Sequence, residues 1–152
     1  MTAAVTLAAM GNGPAFYALR DTNYSITSGV ITKVPLTIEV YDTANAFDSA
    51  TNYRFQPAIA GYYQISGCAG TYSTGSALTI GSSLIYKNGS VLFSSYISTA
   101  GAACQPVVSG LVYLNGSTDY VELYGYAIGA SLIMAPNNSS SVYMTGVMVR
   151  GA

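Results

Sequence analysis

The chain has 152 residues, of which 51% are hydrophobic and only 7% charged, with 14 tyrosines, no tryptophan and no histidine. The length fits one domain with a real core, since a chain of this size hides roughly 70% of its unfolded surface. Five scattered cations exclude a basic stripe for nucleic acid, the lack of histidine excludes Ser-His-Asp, Cys-His and His-based metal chemistry, and no apolar run approaches the roughly 20 residues of a membrane-spanning helix.

In chain order, residues 1–13, MTAAVTLAAMGNG, are mildly apolar but lack a basic leading region, so they read as a docking arm, not a signal peptide. Residues 14–152 then form one domain of short β-rich runs separated by turn signals, with no sustained helical periodicity. Strands are predicted near 15–19, 28–34, 36–41, 53–55, 61–69, 78–86, 91–97, 107–114, 120–126, 131–134 and 142–150. That spacing predicts an all-β fold of about ten strands, a sandwich or jelly roll. Asn-Gly in "YKNGSVLF" and in "VYLNGSTDY" predicts two hairpins or turns, because Asn and Gly tolerate the positive φ of a tight turn.

Strand alternation assigns faces. In "YVELYGY", Val121, Leu123 and Gly125 share one face, while Tyr120, Glu122, Tyr124 and Tyr126 share the other. Three tyrosines around one glutamate have the profile of a subunit interface, large and apolar with hydroxyls that need partners, the alternative being an exposed aromatic ladder. In "FQPAIAGYYQIS" the paired tyrosines point opposite ways: Tyr63 and Ile65 to one side, Tyr62, Gln64 and Ser66 to the other. Tyr62 therefore joins the candidate interface residues.

Catalytic chemistry has few carriers. The six carboxylates are dispersed, with Asp119 and Glu122 the nearest approach to a pair. Asp42, Asn45 and Asp48 offer oxygens within one loop, but at no complete calcium spacing, and read as turn caps. The glycines match no phosphate-binding fingerprint, so no nucleotide or other cofactor is implied. Cys68 and Cys104 read as buried free thiols in preference to a bridge. These observations predict a non-enzyme.

The stretches "PAFYA", "NAFDSATNYRFQPAIAGYYQIS", "DYVEL" and "SVYMTGVMV" occur in the order seen in the globular heads of complement-type proteins, and residues 14–150 resemble that family as a whole. Phe16 resembles its opening aromatic. Asn45, Phe47 and Asp48 resemble the Asn-x-Tyr-Asp segment; Phe55, Pro57, Gly61 and Tyr63 the Phe-x-Pro-to-Gly-x-Tyr signature; Asp119 and Val121 the Asp-x-Val strand; Tyr143 and Gly146 the closing Phe-x-Gly. Ile65 and Gly67 stand where aromatics are usual. The resemblance implies the tumour-necrosis-factor jelly roll, a homotrimer, and a core that includes Phe55, Gly61, Tyr63, Tyr143 and Gly146.

The phrasing "GNGPAF", "YKNGS" and "YLNGSTDYVELYGY" is most similar to the variant found in tailed-bacteriophage virion proteins. With no collagen-like or coiled-coil repeat before the head, the expectation is a capsid decoration (cement) protein whose partners are itself and the major capsid protein or another virion protein. The alternative is the receptor-binding tip of a phage fibre, with a host-surface glycan as partner.

Overall fold

The computed structural model describes residues 13–134 and 141–152, so nearly all of the expected arm and most of the "APNNSSS" loop lie outside the described residues. Among the described residues fifteen strands follow one another: β1 Ala15–Leu19, β2 Tyr24–Ile26, β3 Thr32–Lys33, β4 Ile38–Asp42, β5 Phe47–Asp48, β6 Arg54–Phe55, β7 Ala60–Ala69, β8 Thr71–Ser73, β9 Ile80–Lys87, β10 Ser90–Ser98, β11 Ala103–Cys104, β12 Val107–Asn115, β13 Val121–Ile128, β14 Leu132–Met134 and β15 Val142–Gly151. No helix occurs among the described residues, so none there is long and apolar enough to cross a membrane.

Two sheets form a jelly-roll sandwich. One has the order β12-β7-β15-β1-β4 and the other β10-β9-β13-β6-β5, with β3 also paired to β13; a smaller sheet, β11-β8-β14-β2, takes up the chain where β7 and β13 end. Asn88 and Gly89, at φ 51° and 80°, make the tight hairpin between β9 and β10. The second Asn-Gly does something else. Only Gly116 has positive φ there, and the turn carries the chain from β12 in one sheet to β13 in the other. A residue at Gly116 with a Cβ would also press within 2.4 Å of the Ala60 backbone nitrogen.

The expected strand over 28–34 is the largest local difference. Thr27 to Val30 close a turn through the Val30 N–H to the Thr27 carbonyl, with Gly29 at φ 77°, and the strands lie on either side as β2 and β3. The β-branched run suggested a strand from residue 28, but Ser28 and Gly29 belong to the turn, and only Thr32–Lys33 of that run pairs, as β3.

Inward residues of the two large sheets interleave as the core. Phe16 stacks on Phe55 at 4.2 Å and on Phe47 at 5.3 Å, and Phe55 meets Tyr63 edge-on at 5.6 Å. Aromatic pairs in such geometry add about 0.5–1.5 kcal/mol beyond their burial. Tyr63 is fully buried, and its hydroxyl donates to the Ile59 carbonyl at 2.7 Å, with desolvation pushing its pKa up to about 12. Gly146 is a contact glycine, since a Cβ would stand 2.5 Å from Ile65 Cδ1 and 2.6 Å from Phe16 Cε1. Gly61 is another, with the Arg150 carbonyl 2.5 Å from where its Cβ would be.

Tyr143 departs from the expected core set. Val142 and Met144 are fully buried on either side of it, so alternation turns Tyr143 to the outer face of its sheet, where it meets Tyr17 edge-on at 6.2 Å. The resemblance supplies an aromatic at this position, but strand register, not residue type, decides the face.

Candidate functional site

The two outer faces of the sandwich differ in how their polar and aromatic groups are used. On the β13 sheet, Tyr120, Glu122, Tyr124 and Tyr126 do share the outward side, with Ser82, Leu84 and Tyr86 beside them on β9. Tyr120, Glu122 and Tyr124 are engaged within the chain. Glu122 is 5% exposed and accepts from Lys33 Nζ at 2.5 Å and from the Tyr124 hydroxyl at 3.3 Å. Lys33 reaches it because β3 pairs with β13 opposite Tyr124. Tyr124 stacks on Tyr86 at 4.0 Å, and burial, reinforced by the Glu122 charge, pushes its pKa up to about 12. Arg54 lies over the Tyr120 ring at 4.4 Å.

Tyr62 is elsewhere. It points outward from β7 on the other sheet, beside Tyr113 of β12 at 5.4 Å between ring centroids. The structure therefore does not bring the five candidate interface residues together: four lie on one side of the sandwich and Tyr62 on the opposite side. The sequence supplied the face of each residue within its own strand, but which strand joins which sheet comes from long-range pairing.

The outer face of the β7 sheet is the less satisfied one. Val107, Leu111 and Tyr113 of β12, Tyr62 of β7, Val147 and Val149 of β15 and Tyr41 of β4 are all between 41% and 55% exposed. A groove of about 710 Å³ runs among Tyr62, Leu111, Tyr113, Val149 and Arg150. Toward β4, Tyr17 bridges Tyr41 and Tyr143 by edge-on contacts at 6.1 and 6.2 Å. Exposed apolar surface of this extent marks a place of association, although the hydrogen-bonded Gln64, Ser66 and Ser109 interrupt it. Its sequence signal was present in "VVSGLVYLN", where Val108, Val112 and Leu114 are buried while Val107, Leu111 and Tyr113 are apolar on the opposite side. A strand apolar in both registers is a strand covered on both faces.

The carboxylates named for catalysis or calcium serve the fold. Asp119 accepts from Lys87 at 2.8 Å, Asn88 Nδ2 at 2.7 Å and the Asn115 N–H at 3.1 Å, and these donors, led by Lys87, lower its pKa. Asp42 accepts the Phe47 and Ala44 N–H groups, and Asp48 caps its own turn with the N–H groups of Ala50, Thr51 and Asn52 and the Asn52 side chain. Those bonds hold Asp48 at about 2, far below the ordinary carboxyl range. Cys68 and Cys104 are buried free thiols, and burial pushes Cys68 up to about 11. Among the described residues no three His, Cys, Asp or Glu side chains gather as a metal set.

Comparison with known proteins gives the fold its relatives. No family model matches the sequence, and no curated protein matches it. Solved structures do match. Murine APRIL at pH 5.0 superposes with a TM-score of 0.65 at 13% identity, over 90% of this chain and 98% of that one. The globular domain of zebrafish complement 1qA gives 0.62 at 16% identity, over 91% and 99%, and Eiger TNF from S. frugiperda gives 0.66 at 10% identity, over 93% and 95%. The fold is thus the jelly roll shared by tumour-necrosis-factor-like and complement-head-like proteins.

Proposed function

We propose that this chain forms a homotrimer through the outer face of the β7 sheet, and that the trimer is a non-enzymatic decoration protein on a bacteriophage capsid. The observation that carries the assembly is the apolar surface of Tyr41, Tyr62, Val107, Leu111, Tyr113, Val147 and Val149, none of them less than 41% exposed in the single chain. With 7% charged residues, the rest of the surface gives little to keep such a face in water. A threefold ring needs two different patches that meet head to tail. The second is supplied by β10, the edge strand of the other sheet, which exposes Leu92 and Ile97.

The virion part of the proposal is supported by the phage-type phrasing of "YKNGS" and "YLNGSTDYVELYGY". The non-enzymatic part is supported by the engagement of Glu122, Asp119, Asp48 and Asp42 in capping and pairing. Of the interface residues named from sequence, Tyr62 stays in the proposed contact, while Tyr120, Glu122, Tyr124 and Tyr126 form the trimer's outer wall.

Native mass measurement at micromolar concentration is expected to give three copies per particle, and a monomer there refutes the trimer. Mixed with empty phage capsids, the protein is expected to sediment with them and raise their resistance to heat. If it ignores capsids but binds host cells and competes with infection, it is a receptor-binding tip instead.

A further inference from the structure

The β13 sheet ends in a polar cleft whose cation has no hydrogen-bonding partner among the described residues. Arg54 on β6 sits in register between Asp48 of β5 and Glu122 of β13, so an ion pair is expected on either side. Neither forms. Asp48 gives its oxygens to Ala50, Thr51 and Asn52 at 2.7–3.1 Å, and Glu122 gives its to Lys33 and Tyr124. Among the described residues no acceptor lies within hydrogen-bonding distance of the Arg54 guanidinium, although one of its faces is fixed over Tyr120 at 4.4 Å. A guanidinium presents five donors in a planar fork, which matches a carboxylate with two parallel bonds.

Arg54 lines a cleft of about 380 Å³ with Asn45, Asp48, Asn52 and Gln56. Asn52 and Gln56 are anchored through their amide nitrogens, to Asp48 Oδ2 at 2.7 Å and to the Ser117 carbonyl at 2.8 Å. That leaves their amide oxygens as oriented acceptors. The backbone on both sides of the cleft is held in the left-handed region by non-glycine residues, Asn45 at φ 51° and Tyr53 at φ 50°. For a bulky residue such as tyrosine this conformation is strained.

We propose that this cleft binds a carboxylated sugar ring, with the carboxylate on Arg54 and neighbouring hydroxyls on the side-chain amides of Asn45, Asn52 and Gln56. The ionised Asp48 beside Arg54 leaves the cleft near neutrality, which suits a single negative charge and disfavours a doubly charged phosphate. Amide acceptors need hydroxyl donors, which an acidic protein side chain lacks and a sugar has. The volume lies at the small end of ligand pockets, about right for one ring. The site does not depend on capsid decoration or on which face makes the trimer.

The test uses the purified full chain and ligand-observed saturation-transfer NMR with D-glucuronate, D-glucose and acetate as separate probes. Glucuronate is expected to bind in the region of 1 mM, with glucose and acetate each about tenfold weaker or more. Arg54→Gln is expected to weaken glucuronate about tenfold, and Arg54→Lys, which keeps the charge but loses the fork, by several-fold. Asn45→Gly keeps the left-handed backbone while removing an amide, and is expected to weaken glucuronate but not acetate. Circular dichroism reports whether each variant is folded. Equal binding of glucose and glucuronate, equal binding of acetate and glucuronate, no binding of glucuronate, or undiminished affinity in a folded Arg54 variant each overturns the proposal. Because the readout is ligand contact, none of these results bears on the number of subunits or on capsid binding.

Discussion

Replacing Leu111 with glutamate separates a solvated sheet face from a buried subunit contact. In the single chain Leu111 is 52% exposed, so the fold itself should tolerate the change within about 0.5 kcal/mol. In a trimer closed over this face, the exposed half of the leucine is buried. Loss of that burial costs about 1 kcal/mol per subunit, half the value for a whole side chain. The unpaired carboxylate that replaces it adds several kcal/mol of desolvation. Threefold symmetry repeats both terms, for a total on the order of 10 kcal/mol per trimer. At about 1.4 kcal/mol per factor of ten, that is enough to dissociate a micromolar trimer. Light scattering across a concentration series is expected to show trimer for the parent chain and monomer for Leu111→Glu. Tyr72, at 44% exposed on β8 of the smaller sheet and in neither proposed patch, is the control, and Tyr72→Glu should remain trimeric. If Leu111→Glu stays trimeric, or Tyr72→Glu breaks the assembly, the assignment of the β7 sheet to the interface fails.

Three further expectations concern the fold that holds these surfaces. Lys33→Met strands the 5%-exposed Glu122 and should cost about 1–3 kcal/mol, below the range for a fully buried pair because Lys33 keeps 32% of its side chain in water. The double change Lys33→Met with Glu122→Leu should recover most of that loss in urea titrations; if the double variant is the less stable, the burial argument is wrong. Asp48 has its folded pKa lowered from 3.8 to about 2, so its contribution is complete above about pH 4 and is lost as pH falls toward 2. Asp48→Asn should be less stable than the parent at pH 6 and nearly equal to it at pH 2, and a constant difference across that window counts against the cap. Gly146→Ala drives a methyl against Ile65 and Phe16 and should lower stability by about 1–3 kcal/mol, read as a shifted urea midpoint; an unchanged midpoint shows that the core can give way.

Much of the fold was legible because β structure writes itself with period two. The alternation in "GYYQIS" places Tyr63 and Ile65 inside and Tyr62 outside, and Tyr63 and Ile65 are indeed fully buried while Tyr62 is 42% exposed. The Asn88-Gly89 hairpin was legible for a similarly local reason, since both residues adopt positive φ. The short pieces β2, β5, β8 and β11 went unseen because two or three residues carry too little pattern to stand above the surrounding turns. Tyr143 was misplaced because the resemblance supplied a residue type at a position, whereas the neighbouring Val142 and Met144 set its direction.

The sequence by itself determined the fold class: short β-periodic runs separated by turns, with no helical periodicity, bury themselves as a sandwich or jelly roll. It also determined, strand by strand, which side chains share a side, because alternation is a property of the extended backbone. Tertiary structure alone decided what those sides face. Tyr62 and the tyrosines of β13 look alike in sequence, yet pairing with β12 and β15 sets Tyr62 in an exposed apolar sheet, while pairing with β3 brings Lys33 to Glu122 and closes the other set within the chain. Partners 89 residues apart, as Lys33 and Glu122 are, leave no mark in any local window, since contact between distant strands depends on the order in which they join a sheet.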